Sequence, residues 1–225
     1  MLKAALIGAA AALTAAASLP SASSAPAELP AAPAAKLSAA PKDRVTIKVA
    51  QVNGSGCRPG TASVAVSPDN TAFTVTYSEY LAQVGQGAKF IDSRKNCQLG
   101  LKVNIPQGYT YAVAKADHRG FADLAQGAYG TQKSSFYFQG MSDTDRRTHQ
   151  VRGPYQGNWQ VTDRTGIEAL VFAPCGAQRN FNINTELVVN KGQSDPSRTS
   201  FMTMDSTDGS FNTKYHFAWK KCPVS

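Results

Sequence analysis

Residues 99–113 read LGLKVNIPQGYTYAV, and this stretch decides the fold class. Its apolar side chains fall at every second position on both sides of a Pro106-Gln107-Gly108 turn signal. Successive side chains of a β-strand point to opposite faces, so a period of two predicts strands that bury one face and expose the other. The alternating residues are Leu99, Leu101, Val103 and Ile105 before the turn and Tyr109, Tyr111 and Val113 after it.

The same alternation recurs along most of the chain, between short turn signals such as Arg152-Gly153-Pro154. Several short strands at this spacing predict an all-β fold: an antiparallel two-sheet β-sandwich, jelly-roll-like, with a closed barrel as the lesser option. Only residues 79–84 and 123–126 are candidates for single helical turns. The other alternating sets are Val45, Ile47 and Val49; Phe73, Val75 and Tyr77; Phe136 and Phe138; and Phe211, Tyr215, Phe217 and Trp219.

Residues 1–27 resemble a cleaved secretory signal peptide. The apolar run at 4–17 is too short to span a bilayer, and Ala25-Pro26-Ala27 offers the small residues that a signal peptidase reads. Cleavage after Ala27 is the first choice and cleavage after Ser18 the second. Residues 28–42 are rich in Ala and Pro, which is typical of a flexible linker or pro-segment. Residues 43–225 then form one domain, which we expect to be secreted, soluble and monomeric, with no membrane span.

Four cysteines, Cys57, Cys97, Cys175 and Cys222, lie in this domain. Because an exported protein meets an oxidising environment, an even number of cysteines indicates disulfides. None of the spacings is the short C-x-x-C of a zinc or redox site. Three connectivities are possible, and we favour Cys57 with Cys97 and Cys175 with Cys222 because each pair closes a moderate loop within one half of the domain.

Residues 52–67, VNGSGCRPGTASVAVS, raise the question of a phosphate-binding loop. Such a loop leads from glycines directly into a helix, whose N-terminal amides meet the anion. Here the glycines are followed by TASVAVS, which is typical of a strand. We therefore interpret the stretch as a turn in which Gly54 and Gly56 supply positive φ and Cys57 anchors the chain. Asn53 begins a glycosylation sequon, which matters only in a host that glycosylates exported proteins.

No motif for catalysis or for a cofactor is present in the sequence. There is no G-x-S-x-G nucleophile elbow, and the three histidines have no metal-ligand spacing and are predicted to lie on the surface. A carboxylate pair for glycoside hydrolysis would require the fold to bring two glutamates together. The acidic turns match no calcium loop, so we predict neither metal nor cofactor. These residues are His118, His149 and His216; Glu79, Glu168 and Glu186; and Asp143, Asp145, Asp205 and Asp208.

The formal net charge of the chain is +8, and loss of Lys3 with the signal lowers it by one. A basic exported protein associates with polyanions such as acidic cell-wall polymers through its electrostatic field. Nucleic acid is a poor fit because no recognition motif accompanies the charge. Residues 81–96, LAQVGQGAKFIDSRKN, are too long for a hairpin turn and lack sustained alternation. We predict a functional loop there, with Lys89, Arg94 and Lys95 as candidate binding residues.

Three aromatic residues, Tyr129, Tyr155 and Trp159, are further binding candidates, because flat rings stack on the apolar faces of sugars. The alternative for Trp159 is a core position on a strand. The leading hypothesis is a non-enzymatic module that associates with a cell wall, a matrix or an anionic polysaccharide. One alternative is an exported lyase-like enzyme that acts on an acidic polysaccharide with arginine, His216 and tyrosine. The other is a surface or interaction protein, such as an inhibitor.

Several longer motifs resemble a known family. The stretches SPDNTAFTVTYSEYLAQVG, RKNCQLGLKVNIPQGYTYAVAKADHRG, FYFQG, APCGAQRNFNINTEL and FMTMDSTDGSF are similar to small secreted proteins of bacteria and filamentous fungi. These are grouped as the domain-of-unknown-function family numbered four thousand three hundred and sixty. The resemblance covers about residues 45–222 and implies a secreted, cysteine-bearing, all-β protein. It implies no activity, because the family has no established catalytic or binding residues.

Overall fold

The computed structural model describes residues 36–204 and 212–223. The predicted signal peptide at 1–27, the first part of the predicted linker, Phe211, and the turn with Asp205 and Asp208 lie outside the described residues. Residues 36–42, the described part of the predicted linker, form hydrogen bonds with the domain. The Ser38 amide donates to the Trp219 carbonyl at 2.8 Å, and the Asn70 side chain donates to the Pro41 carbonyl at 2.9 Å.

Within the described residues, twelve strands and two short 3-10 helices follow the alternation of the sequence. The 3-10 helices are Phe90–Ser93 and Ile167–Ala169. The strands are β1 Thr46–Asn53, β2 Ala62–Val66, β3 Ala72–Tyr77, β4 Leu81–Val84, β5 Arg94–Asn104, β6 Tyr109–Leu124, β7 Tyr129–Phe138, β8 Asp145–Arg152, β9 Tyr155–Arg164, β10 Phe181–Asn190, β11 Ser200–Thr203 and β12 Asn212–Lys221.

The strands form two antiparallel sheets that pack as a β-sandwich. One sheet has the order β1-β5-β10-β7-β8; the other has the order β2-β3-β12-β6-β11-β4, with β9 paired to β6. Aromatic rings from both sheets meet in the core, where Phe73 of β3 lies edge-on to Phe181 of β10 with ring centroids 6.3 Å apart. The predicted sandwich is confirmed, and in the described part of the chain neither sheet closes into a barrel.

The two predicted helical turns are wrong, and residues 81–96 are not one loop. Residues 81–84 are strand β4, because Ala82 is buried and pairs with Met202 of β11. Residues 123–126 contain the end of β6. The segment 81–96 divides into β4, a short connection, the 3-10 helix Phe90–Ser93 and the start of β5. Strands and helices of four residues are too short to produce a periodic signal in the sequence.

The glycine-rich stretch is a turn that leads into strand β2, as predicted. Gly54 has a φ of +136°, and a Cβ there would meet the Asn96 carbonyl oxygen at 2.2 Å. The prediction of positive φ at Gly56 is wrong, because the φ of Gly56 is not positive. Glycine is required at position 56 because the Tyr80 ring packs closely against the backbone there, and a Cβ would lie 2.3 Å from that ring. Neither position therefore tolerates a side chain.

Two disulfides join Cys57 to Cys97 and Cys175 to Cys222, the pairs that the sequence favours. They close loops with sequence separations of 40 and 47 residues. Cys57 and Cys97 are both buried, and their bond ties the turn after β1 to β5. Loops of this length stabilise by about 4 kcal/mol each in the chain-entropy description.

Candidate functional site

The outer face of the five-stranded sheet carries a dense set of polar side chains. Along β7, Gln132, Ser134, Phe136 and Phe138 are buried, and the residues between them face outward. Strands β5, β10 and β8 alternate in the same way. We use the term polar face for the eight outward residues at the centre of this sheet: Asn96, Gln98, Lys133, Ser135, Arg146, Thr148, Asn184 and Glu186.

The strand register arranges the polar face in two rows that cross β5, β10, β7 and β8. Neighbouring strands lie about 4.8 Å apart, and residues two positions apart on one strand are separated by about 7 Å. Each row therefore presents hydrogen-bonding groups at short, regular intervals. One row is Asn96, Glu186, Lys133 and Thr148, and the other is Gln98, Asn184, Ser135 and Arg146.

Most side chains of the polar face have no partner within the described residues. Amides, hydroxyls and a guanidinium together offer both donors and acceptors, which is the chemistry that matches a ligand rich in hydroxyl groups. The unpaired side chains are Gln98, Ser135, Arg146, Thr148 and Asn184.

Glu186 is the single carboxylate of the polar face. It accepts hydrogen bonds from Arg94 Nε at 2.5 Å and from Lys133 Nζ at 2.9 Å. Partial burial raises the pKa of Glu186, but the hydrogen bonds from Lys133 and Arg94 outweigh this effect and hold the pKa below its ordinary value. Glu186 therefore stays ionised and neutralises part of the positive charge of Arg94 and Lys133, whereas Arg146 has no carboxylate partner among the described residues.

The polar face is concave. Its eight residues, together with Arg94, line a groove of about 370 Å³. This volume lies within the usual range of small-molecule sites, about 300–1,000 Å³, although the groove lacks the apolar walls that are common there. Its chemistry favours a polar, extended ligand.

The three basic candidates of residues 81–96 do not form one patch. Arg94 lines the groove, whereas Lys89 lies exposed just before the 3-10 helix. Because β5 begins at Arg94, the pleat sends the side chain of Lys95 to the opposite face, where its Nζ pairs with Asp92 at 2.8 Å. Only one of the three therefore contributes to the groove.

The three aromatic candidates, Tyr129, Tyr155 and Trp159, also lie in different environments and do not form one site. Tyr129 lies on the outer side of β7, at the end of the strand, where it pairs with Arg152 of β8. Tyr155 packs against the core and donates its hydroxyl to the Asn158 carbonyl at 2.7 Å. The prediction that Trp159 is a stacking residue is wrong, because its side chain is buried.

Trp159 is held in the core by its neighbour on β6. Gly120 pairs with Trp159, and a Cβ at Gly120 would lie 2.7 Å from the indole ring. The absence of a side chain at Gly120 lets the indole lie flat over β6. Its Nε1 donates to the carbonyls of Phe121 at 3.3 Å and Thr203 at 3.2 Å.

The histidines were predicted to lie on the surface, and for His118 this is wrong. His118 is fully buried, with its Nε2 at 3.3 Å from Asp163 Oδ2. The other oxygen of Asp163 lies 2.6 Å from Nε2 of the partly exposed His149. Burial raises the pKa of Asp163, but contacts with His118 and His149 outweigh it, so the pKa lies below its ordinary value. Since His118 is enclosed, we assign this cluster a structural role.

His216 lies on the outer face of the seven-stranded sheet. Its Nε2 is 2.8 Å from Asp117 Oδ2, and Thr162 donates to Asp117 Oδ1 at 2.6 Å. The residues proposed for a lyase therefore do not form one site, because His216 and the groove residues Arg94 and Arg146 belong to different sheets. The three glutamates are divided as well: Glu79, Glu168 and Glu186 line different cavities.

In residues 36–204 and 212–223, no group of three or more His, Cys, Asp or Glu side chains is placed to hold a metal ion. Within the same residues, no helix has the length and apolar character needed to cross a membrane.

Sequence reasoning did not identify most of the polar face. Asn96, Gln98 and Asn184 alternate with buried residues in their strands, and this alternation was the available signal. What the sequence does not contain is the register that brings four strands, distant along the chain, into two rows.

Comparison with known proteins identifies relatives over most of the domain. Residues 43–222 match the model of the family described as domain of unknown function, DUF4360. An uncharacterized secreted protein of Arthroderma benhamiae is 35% identical over 180 residues, covering 80% of this chain and 73% of the relative.

Among solved structures, the enzymatically active domain of bacteriophage CBA120 tailspike protein 4 aligns with 80% of this chain and 19% of its own. The TM-score is 0.23 and the identity 10%, so this likeness supports no conclusion about function.

Proposed function

The chain belongs to the DUF4360 family of unknown function, and we propose that it is a non-enzymatic module whose polar face binds an anionic polysaccharide of a cell wall or matrix. It is a secreted protein: its fungal relative is secreted, and its two disulfides are typical of extracellular proteins.

One observation carries the proposal: five polar side chains without partners line one groove on a rigid sheet. A sugar ring offers several hydroxyls, each able to donate and to accept. The amides of Gln98 and Asn184 each offer two N–H donors and an accepting oxygen, and the hydroxyls of Ser135 and Thr148 can either donate or accept to suit the ligand. Because the strands hold these groups in place, little ordering entropy is lost on binding.

The charges favour an anionic ligand over a neutral one. Arg146 has no acidic partner among the described residues and lies in the second polar row. Arg94 and Lys133 share Glu186, so a ligand carboxylate competes with Glu186 for them. Guanidinium groups bind carboxylates through two parallel hydrogen bonds, which selects a uronate over a neutral sugar. The positive net charge of the chain adds a long-range attraction to the polymer.

Adsorption to insoluble polysaccharides tests the proposal. We expect the protein to adsorb to a uronate polymer and the triple variant Gln98→Ala, Asn184→Ala, Arg146→Ala to lose most of this adsorption. The matched control removes the same three residue types from exposed positions of β9 in the other sheet. This control variant is Gln160→Ala, Asn158→Ala and Arg164→Ala.

The control should adsorb like the parent. Equal adsorption by the parent and the groove variant would refute the role of the polar face. Equal loss in both triple variants would show nonspecific attraction by charge alone and would also count against it.

A further inference from the structure

The 3-10 helix Phe90–Ser93, which directly precedes Arg94, holds two apolar side chains in solvent. Phe90 is 94% exposed and Ile91 70% exposed, whereas no other large apolar residue of the described chain exceeds 47%. A side chain that buries so little area contributes almost nothing to folding. The fold therefore gives no reason for an aromatic residue at this position.

The helix that carries Phe90 is braced rather than loose. Asp92 accepts a hydrogen bond from the Lys89 amide at 3.0 Å and another from Lys95 Nζ at 2.8 Å. The Ser93 hydroxyl donates to the Phe90 carbonyl at 2.7 Å. A ring on a braced backbone loses little conformational entropy when it meets a ligand, which is the condition for an efficient contact residue.

The position of the helix connects Phe90 to the groove. Arg94, which lines the groove, follows the helix directly and begins β5. Along β5, the groove extends from Gln98 to Arg94, about 14 Å at the rise of a strand. The 3-10 helix advances about 2 Å per residue, so Phe90 lies about 8 Å beyond Arg94 along the chain. Phe90 is therefore close along the chain to the Arg94 end of the groove, where a ligand longer than the groove would project.

We propose that Phe90 is a stacking subsite for a further sugar of the same anionic polysaccharide chain, an inference that rests on the proposed function. The flat ring contacts the C–H face of one sugar, while the exposed Lys89 lies beside the acidic groups of the chain. A lipid surface fits less well, because two inserted side chains supply far less than one acyl chain, which itself gives only marginal attachment.

Calorimetric titration with uronate oligomers of two lengths tests the subsite. A short oligomer spans only the groove, about 14 Å, and a long one has at least twice that length. We expect Phe90→Ala to weaken binding of the long oligomer about ten-fold and to leave the short one unchanged. Phe90→Trp should retain the affinity of the parent, because it keeps a flat ring.

Two further variants sharpen the test. Phe90→Leu keeps an apolar side chain without a flat ring, and we expect it to bind as weakly as Phe90→Ala. Ile167→Ala is the matched control, since Ile167 is a 47% exposed apolar residue on the other 3-10 helix. It should bind both oligomers like the parent.

The outcomes separate this inference from the proposed function. If the parent binds neither oligomer, the proposed function fails and the subsite fails with it. If the groove variant loses binding while Phe90→Ala binds the long oligomer like the parent, only the subsite is overturned. Parent-like binding by Phe90→Leu would also overturn it, and would point instead to an apolar contact with a protein partner.

Discussion

His149 Nε2 lies 2.6 Å from Asp163 Oδ1, and this contact joins the two sheets of the sandwich. His149 belongs to β8 of the five-stranded sheet, and Asp163 belongs to β9, which pairs with the other sheet. The carboxylate is almost fully buried and also faces His118. A buried charge of this kind stabilises only while its partners are present, because the lone charge would be poorly solvated.

We expect Asp163→Asn to lower the free energy of unfolding by roughly 1.5–3 kcal/mol, the value of a hydrogen bond to a charged group. Urea denaturation followed by circular dichroism measures this change. Asp123→Asn is the control, because Asp123 is a half-exposed carboxylate on β6 whose partner Gln156 is exposed. A loss for Asp163→Asn no larger than that of the control would contradict the role of this contact.

Stability should fall in acid. Burial raises the pKa of Asp163 and of Asp117, but hydrogen bonds from their partners outweigh it, and both pKa values lie below the ordinary value in the folded state. The unfolded chain therefore takes up protons first as the pH falls below about 4. The stabilisation is complete above that pH and is lost as the pH drops toward the folded pKa values.

Urea titrations at about pH 6 and about pH 3 measure this loss. Asp163→Asn should show a smaller difference between the two pH values than the parent. An equal difference in both proteins would mean that other carboxyl groups cause the acid sensitivity.

Truncation of the buried Trp159 should lower stability strongly, whereas truncation of the exposed Phe90 should have almost no effect on stability. Trp159→Ala removes a buried ring and two hydrogen bonds to carbonyls, so we expect a loss of about 3–5 kcal/mol in unfolding free energy. Phe90→Ala removes a ring that is 94% exposed and should change stability by less than about 0.5 kcal/mol. Thermal unfolding of both variants checks the pair, and a stability loss in Phe90→Ala would show that the ring packs on the protein.

The sequence predicts the sandwich, because the alternation of apolar residues needs no knowledge of which strands pair. It misplaces His118 because β6 contains a bulge. The neighbouring β12 residues His216 and Phe217 pair with Lys115 and Val113 of β6, which leaves Ala114 between them as an extra residue. The extra residue reverses the alternation, which turns His118 inward and Asp117 outward. The sequence marks this reversal only weakly, because the inward residues between the bulge and Leu124, apart from His118, are the small residues Ala116, Gly120 and Ala122.

The sequence left both a stacking role and a core position open for Trp159, and it did not predict the groove. Val161 continues the alternation from Trp159, but β9 has too few apolar residues at this spacing to decide between the two. The polar face depends on pairing between β5, β10, β7 and β8, whose partners are distant in sequence. Long-range register follows from packing of the whole domain, so composition and periodicity cannot supply it.

Glu186→Gln should strengthen binding of an anionic polymer. The change removes the carboxylate that Arg94 and Lys133 share, so both become available to the ligand. We expect about five-fold tighter binding at low salt, with the gain shrinking as salt screens the charges. Glu79→Gln is the control, because Glu79 pairs with Arg58 outside the groove. Weaker binding by Glu186→Gln would indicate that Glu186 itself contacts the ligand.

The most direct test of the polar face is a nuclear magnetic resonance titration of the isotope-labelled protein with a soluble uronate oligomer. We predict that the backbone amide shifts that change most belong to β5, β7, β8 and β10, with the largest changes near Gln98, Ser135 and Asn184. The outward residues of β9, such as Asn158 and Gln160, should show no change. Binding whose largest shift changes map to β9 or elsewhere on the seven-stranded sheet, or the absence of any change at saturating oligomer, would contradict the account.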